Sequence, residues 1–90
     1  MITDRNREIL TITQEEAAEV IQEISKVFRF GIDEIHRDGL RHRDHLTQEV
    51  GDLLCMIDLM IDHKLLDPVA LEIAKQEKTR KLKTYSNIYQ

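Results

Sequence analysis

The run Ile9-Leu10-Thr11-Ile12-Thr13-Gln14-Glu15-Glu16-Ala17-Ala18-Glu19-Val20-Ile21-Gln22-Glu23-Ile24-Ser25-Lys26-Val27-Phe28 decides the fold. With each residue turning about 100°, its apolar positions Ile9, Leu10, Ala17, Val20, Ile21, Ile24, Val27 and Phe28 fall in one sector about 120° wide. The phase does not slip between Ile9 and Phe28. This predicts one long helix over about residues 3–29, begun at Thr3-Asp4 and ended by Gly31. The weak point is Thr11-Ile12-Thr13, three β-branched residues in succession. Thr13 and Glu16 also match a capping box, so the competing expectation is a break at Thr13. Glu15, Glu16 and Glu19 project from the side opposite the apolar sector, related by i,i+3 and i,i+4 spacing. Ile12, one turn earlier, is the only aliphatic residue on that acidic face.

Beyond Gly31, residues 31–43 show no clear periodicity and end in the basic cluster Arg41-His42-Arg43. That is a long loop for a small bundle, and such loops are often functional. Asp44 is expected to cap a second helix, about 45–63, whose core stripe is Val50, Leu53, Leu54, Met56, Ile57, Met60 and Ile61. Glu49 points near the centre of that stripe and Asp52 near its edge. Gly51 between them costs the helix roughly 1 kcal/mol relative to Ala and permits close approach of a neighbour. Asp67-Pro68 is an N-cap followed by proline at the first helical position, which starts a third helix over about 68–84. Leu71, Ala74, Lys78, Leu82 and Tyr85 share one of its faces, with Lys75 at the edge.

Ninety residues make one domain, here 1–90, with 33% charged and 4% aromatic residues and no period-two stretch. The expectation is an all-α protein, a small helical bundle completed by oligomerisation, because so short a chain buries little surface alone. Cys55, the only cysteine, excludes a disulfide framework and a thiolate zinc cluster; in its apolar run it is expected to act as a small core hydrophobe. No run is long enough to span a membrane, and Met1 to Arg5 lack a signal peptide's apolar core, so the expected location is cytoplasmic. A net charge of −4 argues against nucleic acid as a partner.

A charge run on one helix face is ordinarily just solvated. Glu15, Glu16 and Glu19, however, repel one another, and no Lys or Arg stands at i+3 or i+4 to relieve them. A hard cation such as Mg²⁺ would. Glu49 projects from the buried side of its helix, where an unpaired carboxylate is costly. Its partner is either shared metal or a cation such as Lys78, which interrupts the apolar stripe of the third helix and would form a purely structural ion pair.

Glu15-Glu16-Ala17-Ala18-Glu19 followed by Glu49-Val50-Gly51-Asp52 resembles the EExxE…ExxD signature of the MazG-like all-α nucleotide pyrophosphohydrolases, over about Ile9 to Tyr85. The 29 residues between the two motifs stand at the long end of that family's range. The resemblance implies metal-dependent hydrolysis of a (deoxy)nucleoside triphosphate to the monophosphate and pyrophosphate, with purine deoxynucleotides among the substrates it suggests. It implies Glu16, Glu19, Glu49 and Asp52 as ligands of Mg²⁺, with Mn²⁺ able to substitute, and Glu15 as a further ligand or a positioner of the attacking water. Lys75 and Lys78 would meet the outer phosphates, whereas Lys81 is read as solvated. Ile12, by helical phase, would then lie beside the base or sugar. Members of the family are similar in forming dimers or tetramers with active sites bounded by neighbouring chains.

Two other readings compete. One is a helical interaction module with no catalysis, whose acidic face binds a basic partner. The other is a di-iron carboxylate bundle, disfavoured because neither Glu16 nor Glu49 has His at i+3. His36, His42, His45 and His63 show no metal-ligand spacing and are expected to be surface or loop residues. Phe28 and Phe30 read as core or interface, and Tyr85 and Tyr89 as packing residues.

Overall fold

The computed structural model describes residues 1–90 and holds three helices: α1 (Asp4–Phe30), α2 (His42–Asp62) and α3 (Pro68–Tyr85). The fold is all-α, with no strand beyond an isolated bridge between Ile35 and Arg41. α1 runs unbroken through Thr13. The Thr11 and Thr13 hydroxyls donate to the carbonyls of Arg7 and Ile9, 2.8 and 2.7 Å away, which ties both residues into the helix and leaves no capping box at Thr13. Thr3 caps the start by accepting from the Asn6 N–H at 3.1 Å. Gly31 ends the helix with φ 98°, a conformation costly for any residue with a Cβ, and donates its N–H to the Val27 carbonyl.

The second helix begins earlier than the sequence suggests. Asp44 is not its cap but lies in its first turn, reaching back to accept from the Arg41 N–H at 3.0 Å. A capping box satisfies the same backbone donors from three residues inside the helix, and this shifts the boundary. The preceding loop is a tight hairpin: His36 donates its N–H to the Leu40 carbonyl at 2.7 Å, Gly39 donates to the His36 carbonyl, and Gly39 has φ 85°. Arg43 forks onto Asp33 through Nε and Nη2 at 3.0 and 3.3 Å, fastening the loop to the start of α2. At α3, Asp67 accepts from the Val69 N–H at 2.9 Å and the Ala70 N–H at 3.4 Å, ahead of Pro68.

α1 and α2 pack against each other, while α3 makes little contact with either, giving a flat molecule of 44 × 36 × 15 Å. Within the chain, Ile9, Met56 and His42 are the buried residues. The packing corrects the expected core. Half of the apolar sector of α1 is exposed: Leu10, Ile21, Ile24 and Phe28, the last to 83%. Val50 and Leu54 of α2 are likewise exposed, as is Cys55, which is therefore not a core residue of this chain. The face of α1 that carries Ile12 and Glu16 lies toward α2 instead. Periodicity identifies an apolar face but not whether the same chain covers it.

Candidate active site

Two helices supply one acidic cluster. From α1, Glu16 projects toward α2; from α2, Glu49 and Asp52 project back, one turn apart. A carboxylate oxygen from each of these three residues lies within 4.8 Å of the others. Glu16 and Glu49 are half-buried and Asp52 is exposed, so the cluster opens to solvent on one side. Nothing cationic answers it. Oε2 of Glu16 and Oε2 of Glu49 are buried without a hydrogen-bond partner. No ion pair joins Glu49 to Lys78; Lys75 instead pairs with Glu72 at 3.4 Å within α3.

The electrostatics follow from this crowding. The Glu49 carboxyl is pushed up to about 7, first by the hydrogen bond it shares with Glu19, then by burial and by the charges of Glu19, Asp52 and Glu16. Once ionised, the Glu49 carboxylate faces the negative charges of Glu19, Asp52 and Glu16 unrelieved. Glu16 is raised as well, first by desolvation and then by Glu19, Asp52 and Glu15. Glu15 is exposed on the neighbouring part of the helix surface, and its charge adds to the raising of Glu16.

An all-oxygen donor set with orphaned, partly desolvated oxygens fits a hard divalent cation. Glu16, Glu49 and Asp52 form the set that can hold it, with Glu19 alongside through its contact with Glu49. One turn toward the N-terminus, Ile12 lines a recess of about 340 Å³ together with Arg5, Glu8, Ile9, Met56, Leu59 and His63. The recess is large enough for a nucleoside-sized group. Lys75 and Lys78 are exposed on α3, away from the α1–α2 groove.

The histidines correct a sequence expectation. His36, His42 and His45 are not scattered surface residues; their rings gather with centroids 5.5 to 6.5 Å apart. His42 is 1% exposed and stacks on Phe30 at 5.5 Å. His42 and His45 lie one turn apart on α2, and the hairpin at His36–Leu40 brings His36 back over them. The available signal was Asp38-Gly39, a turn dipeptide between the histidines.

No helix is long and apolar enough to cross a membrane. No curated protein and no solved structure matches the chain. The family model of the MazG nucleotide pyrophosphohydrolase domain matches residues 5–87. With three helices, two of which carry the paired acidic motifs, the chain belongs to the MazG nucleotide pyrophosphohydrolase family, hydrolases that act on phosphoanhydride bonds.

Proposed function

We propose that this chain hydrolyses a (deoxy)nucleoside triphosphate, with a purine deoxynucleotide as the first choice, to the monophosphate and pyrophosphate in a reaction that depends on Mg²⁺ or Mn²⁺. The observation that carries this is the unrelieved cluster of Glu16, Glu49 and Asp52, with two orphaned oxygens. When bound, the divalent cation neutralises phosphate oxygens and lowers the pKa of coordinated water. The chain's own residues do the rest. Glu16, Glu49 and Asp52, with Glu19, hold the cation at the groove between α1 and α2. Glu15, on the exposed side of the same turn, either adds a further ligand or positions the attacking water by accepting its hydrogen bond. Ile12 and the recess around it receive the base or sugar, one helical turn from Glu16, so that the phosphates reach the carboxylates.

Lys75 and Lys78 complete the site on the outer phosphates, and they do so from a neighbouring copy. α3 stands away from the α1–α2 groove of its own chain, and so do its lysines. The exposed apolar residues Ile21, Ile24, Phe28, Val50, Leu54, Val69 and Ile73 need cover. A dimer or tetramer provides both the cover and the lysines. The lone cysteine Cys55, exposed and unpaired, suits a reducing, cytoplasmic setting.

The test is a panel of nucleoside triphosphates and deoxynucleoside triphosphates incubated with the protein and Mg²⁺. Monophosphate and pyrophosphate are the expected products. Diphosphate with inorganic phosphate would overturn cleavage between the α and β phosphates.

A further inference from the structure

A second cluster of donors lies one turn along the same helix pair. His45 precedes Glu49 by four residues on α2, and Glu23 follows Glu19 by four on α1. Between them is a small polar cavity of about 30 Å³, lined by Glu23, Lys26, His36, His42 and His45, with no apolar side chain in its wall. A ring nitrogen of His36, a carboxylate oxygen of Asp38 and a ring nitrogen of His45 lie within 4.8 Å of one another. His45 Nε2 is 2.8 Å and His36 Nδ1 is 3.7 Å from the Asp38 carboxylate.

The cavity's polar atoms are short of partners. Buried atoms without a hydrogen bond include Nδ1 of His36, Nδ1 of His42 and Oε2 of Glu23, while Nε2 of His45 meets only the Asp38 carboxylate. His42 is almost wholly buried, so its orphaned nitrogen has no recourse to bulk water. Three orphaned atoms and a histidine–carboxylate pair around one cavity ask for a common partner. Lys26 does not serve: its Nζ is 3.3 Å from the other Glu23 oxygen, Oε1. A phosphate fits poorly, since Asp38 and Glu23 both put negative charge at the site.

We propose that His36, Asp38 and His45 bind a late first-row divalent transition metal of the Zn²⁺ class, with His42 or a water in the fourth position. Imidazole nitrogens with one carboxylate are the donors such ions take, in contrast to the all-oxygen set of Glu16, Glu49 and Asp52. Ligands about 2.0–2.1 Å from a tetrahedral ion stand roughly 3.3 Å apart, so the His45–Asp38 pair at 2.8 Å opens slightly, while atoms that now lie within 4.8 Å of one another close by at most about 1.5 Å. The hairpin supports the site: the Leu40 N–H donates to Asp38 Oδ1 at 3.0 Å and fixes the carboxylate, and Phe30 stacks on His42. Bound metal would clip the His36–Leu40 hairpin onto α2 beside the acidic groove.

The test uses chelator-stripped full-length protein titrated with Co²⁺, read by its visible d–d absorption. Nitrogen-rich, low-coordinate cobalt absorbs far more strongly than cobalt in an octahedral oxygen site. The expected result is a strong band that saturates at one equivalent per chain and is bleached by Zn²⁺. It disappears in His36→Ala/His45→Ala and persists in Glu16→Gln/Asp52→Asn, with circular dichroism checking that each variant remains helical. Asp38→Asn, a change in the exposed turn, is expected to weaken Co²⁺ binding by more than about tenfold while the helices stay intact. A band that survives loss of both histidines, a band lost with the glutamate variant instead, or no strong band in the wild type would overturn the site.

Discussion

Glu19 of α1 and Glu49 of α2 face each other across the helix pair, and this approach does most to push the Glu49 carboxyl up to about 7. Two carboxyls brought together by packing, with no Lys or Arg between them, are a cost to the metal-free fold. The cost takes a form that experiments can read.

The first reading is by pH. Below 4.5, the ordinary value for a glutamate, Glu49 is protonated in both folded and unfolded chains and carries no penalty. Between 4.5 and about 7 the unfolded chain has lost the proton that the folded chain keeps, so stability falls as pH rises through this window. Glu16, also raised, adds in the same direction. Asp33 and Asp38 are lowered, Asp33 by its hydrogen bond to Arg43 and Asp38 by that from the Leu40 N–H. Their contribution is lost only as pH falls below 3.8, outside the window. Thermal melts of metal-free protein should therefore show a Tm that declines from pH 5 to pH 7.5, and the decline should flatten in Glu49→Gln.

Metal should reverse that trend. Mg²⁺ or Mn²⁺ competes with the proton on Glu49, so its affinity should rise between pH 5.5 and 7.5, and calorimetry should detect proton release on binding. At about 100 times the dissociation constant the folded state gains about 2.7 kcal/mol, visible as a raised Tm. Glu16→Gln/Asp52→Asn should lose the metal-dependent rise. A wild-type chain whose melts ignore Mn²⁺ would favour the alternative of a helical interaction module without a metal site.

Assembly is read from the outward face of α1. Ile24→Glu/Phe28→Glu places charge where the apolar sector is exposed in the single chain. Sedimentation should find the wild type as a dimer or tetramer and the variant dissociated, with lower helical content because each chain buries so little by itself. A wild-type monomer of full helicity would contradict the proposed assembly.

How much of this was legible in the residues depends on the kind of contact. The continuity of α1 through Thr13, its end at Gly31 and the start of α3 at Asp67-Pro68 follow from local rules, which act within a few positions of one another. The acidic motifs were legible too, since i,i+3 and i,i+4 spacing places carboxylates on one face. The failures are of longer range. Ile21, Ile24, Phe28 and Cys55 look like core, but exposure depends on what packs there, and in this chain nothing does. Whether Glu49 would meet a metal or Lys78 was open from periodicity, and only the packing, in which α3 swings clear of the groove, removes the ion pair. His42 and His45 share one turn of α2, but His36 joins them through a hairpin, whose register no helical or strand period encodes.

The Ile12 recess separates substrate binding from chemistry. Ile12→Ala should raise KM by roughly tenfold through lost apolar contact, with kcat nearly unchanged, because the carboxylates one turn away are undisturbed. A fall in kcat at constant KM would place Ile12 elsewhere than beside the base or sugar.

The central claim is that the carboxylates of α1 and α2 form one metal-dependent centre for releasing pyrophosphate. The most direct measurement is the rate of pyrophosphate release from the best triphosphate in the panel, at saturating Mg²⁺, for the wild type, Glu19→Gln and Asp52→Asn, each checked for helicity and assembly. Each substitution should cut the rate by at least about 100-fold, the upper end of what loss of a supporting metal contact costs. Turnover within a few-fold of wild type in either folded variant would contradict the claim.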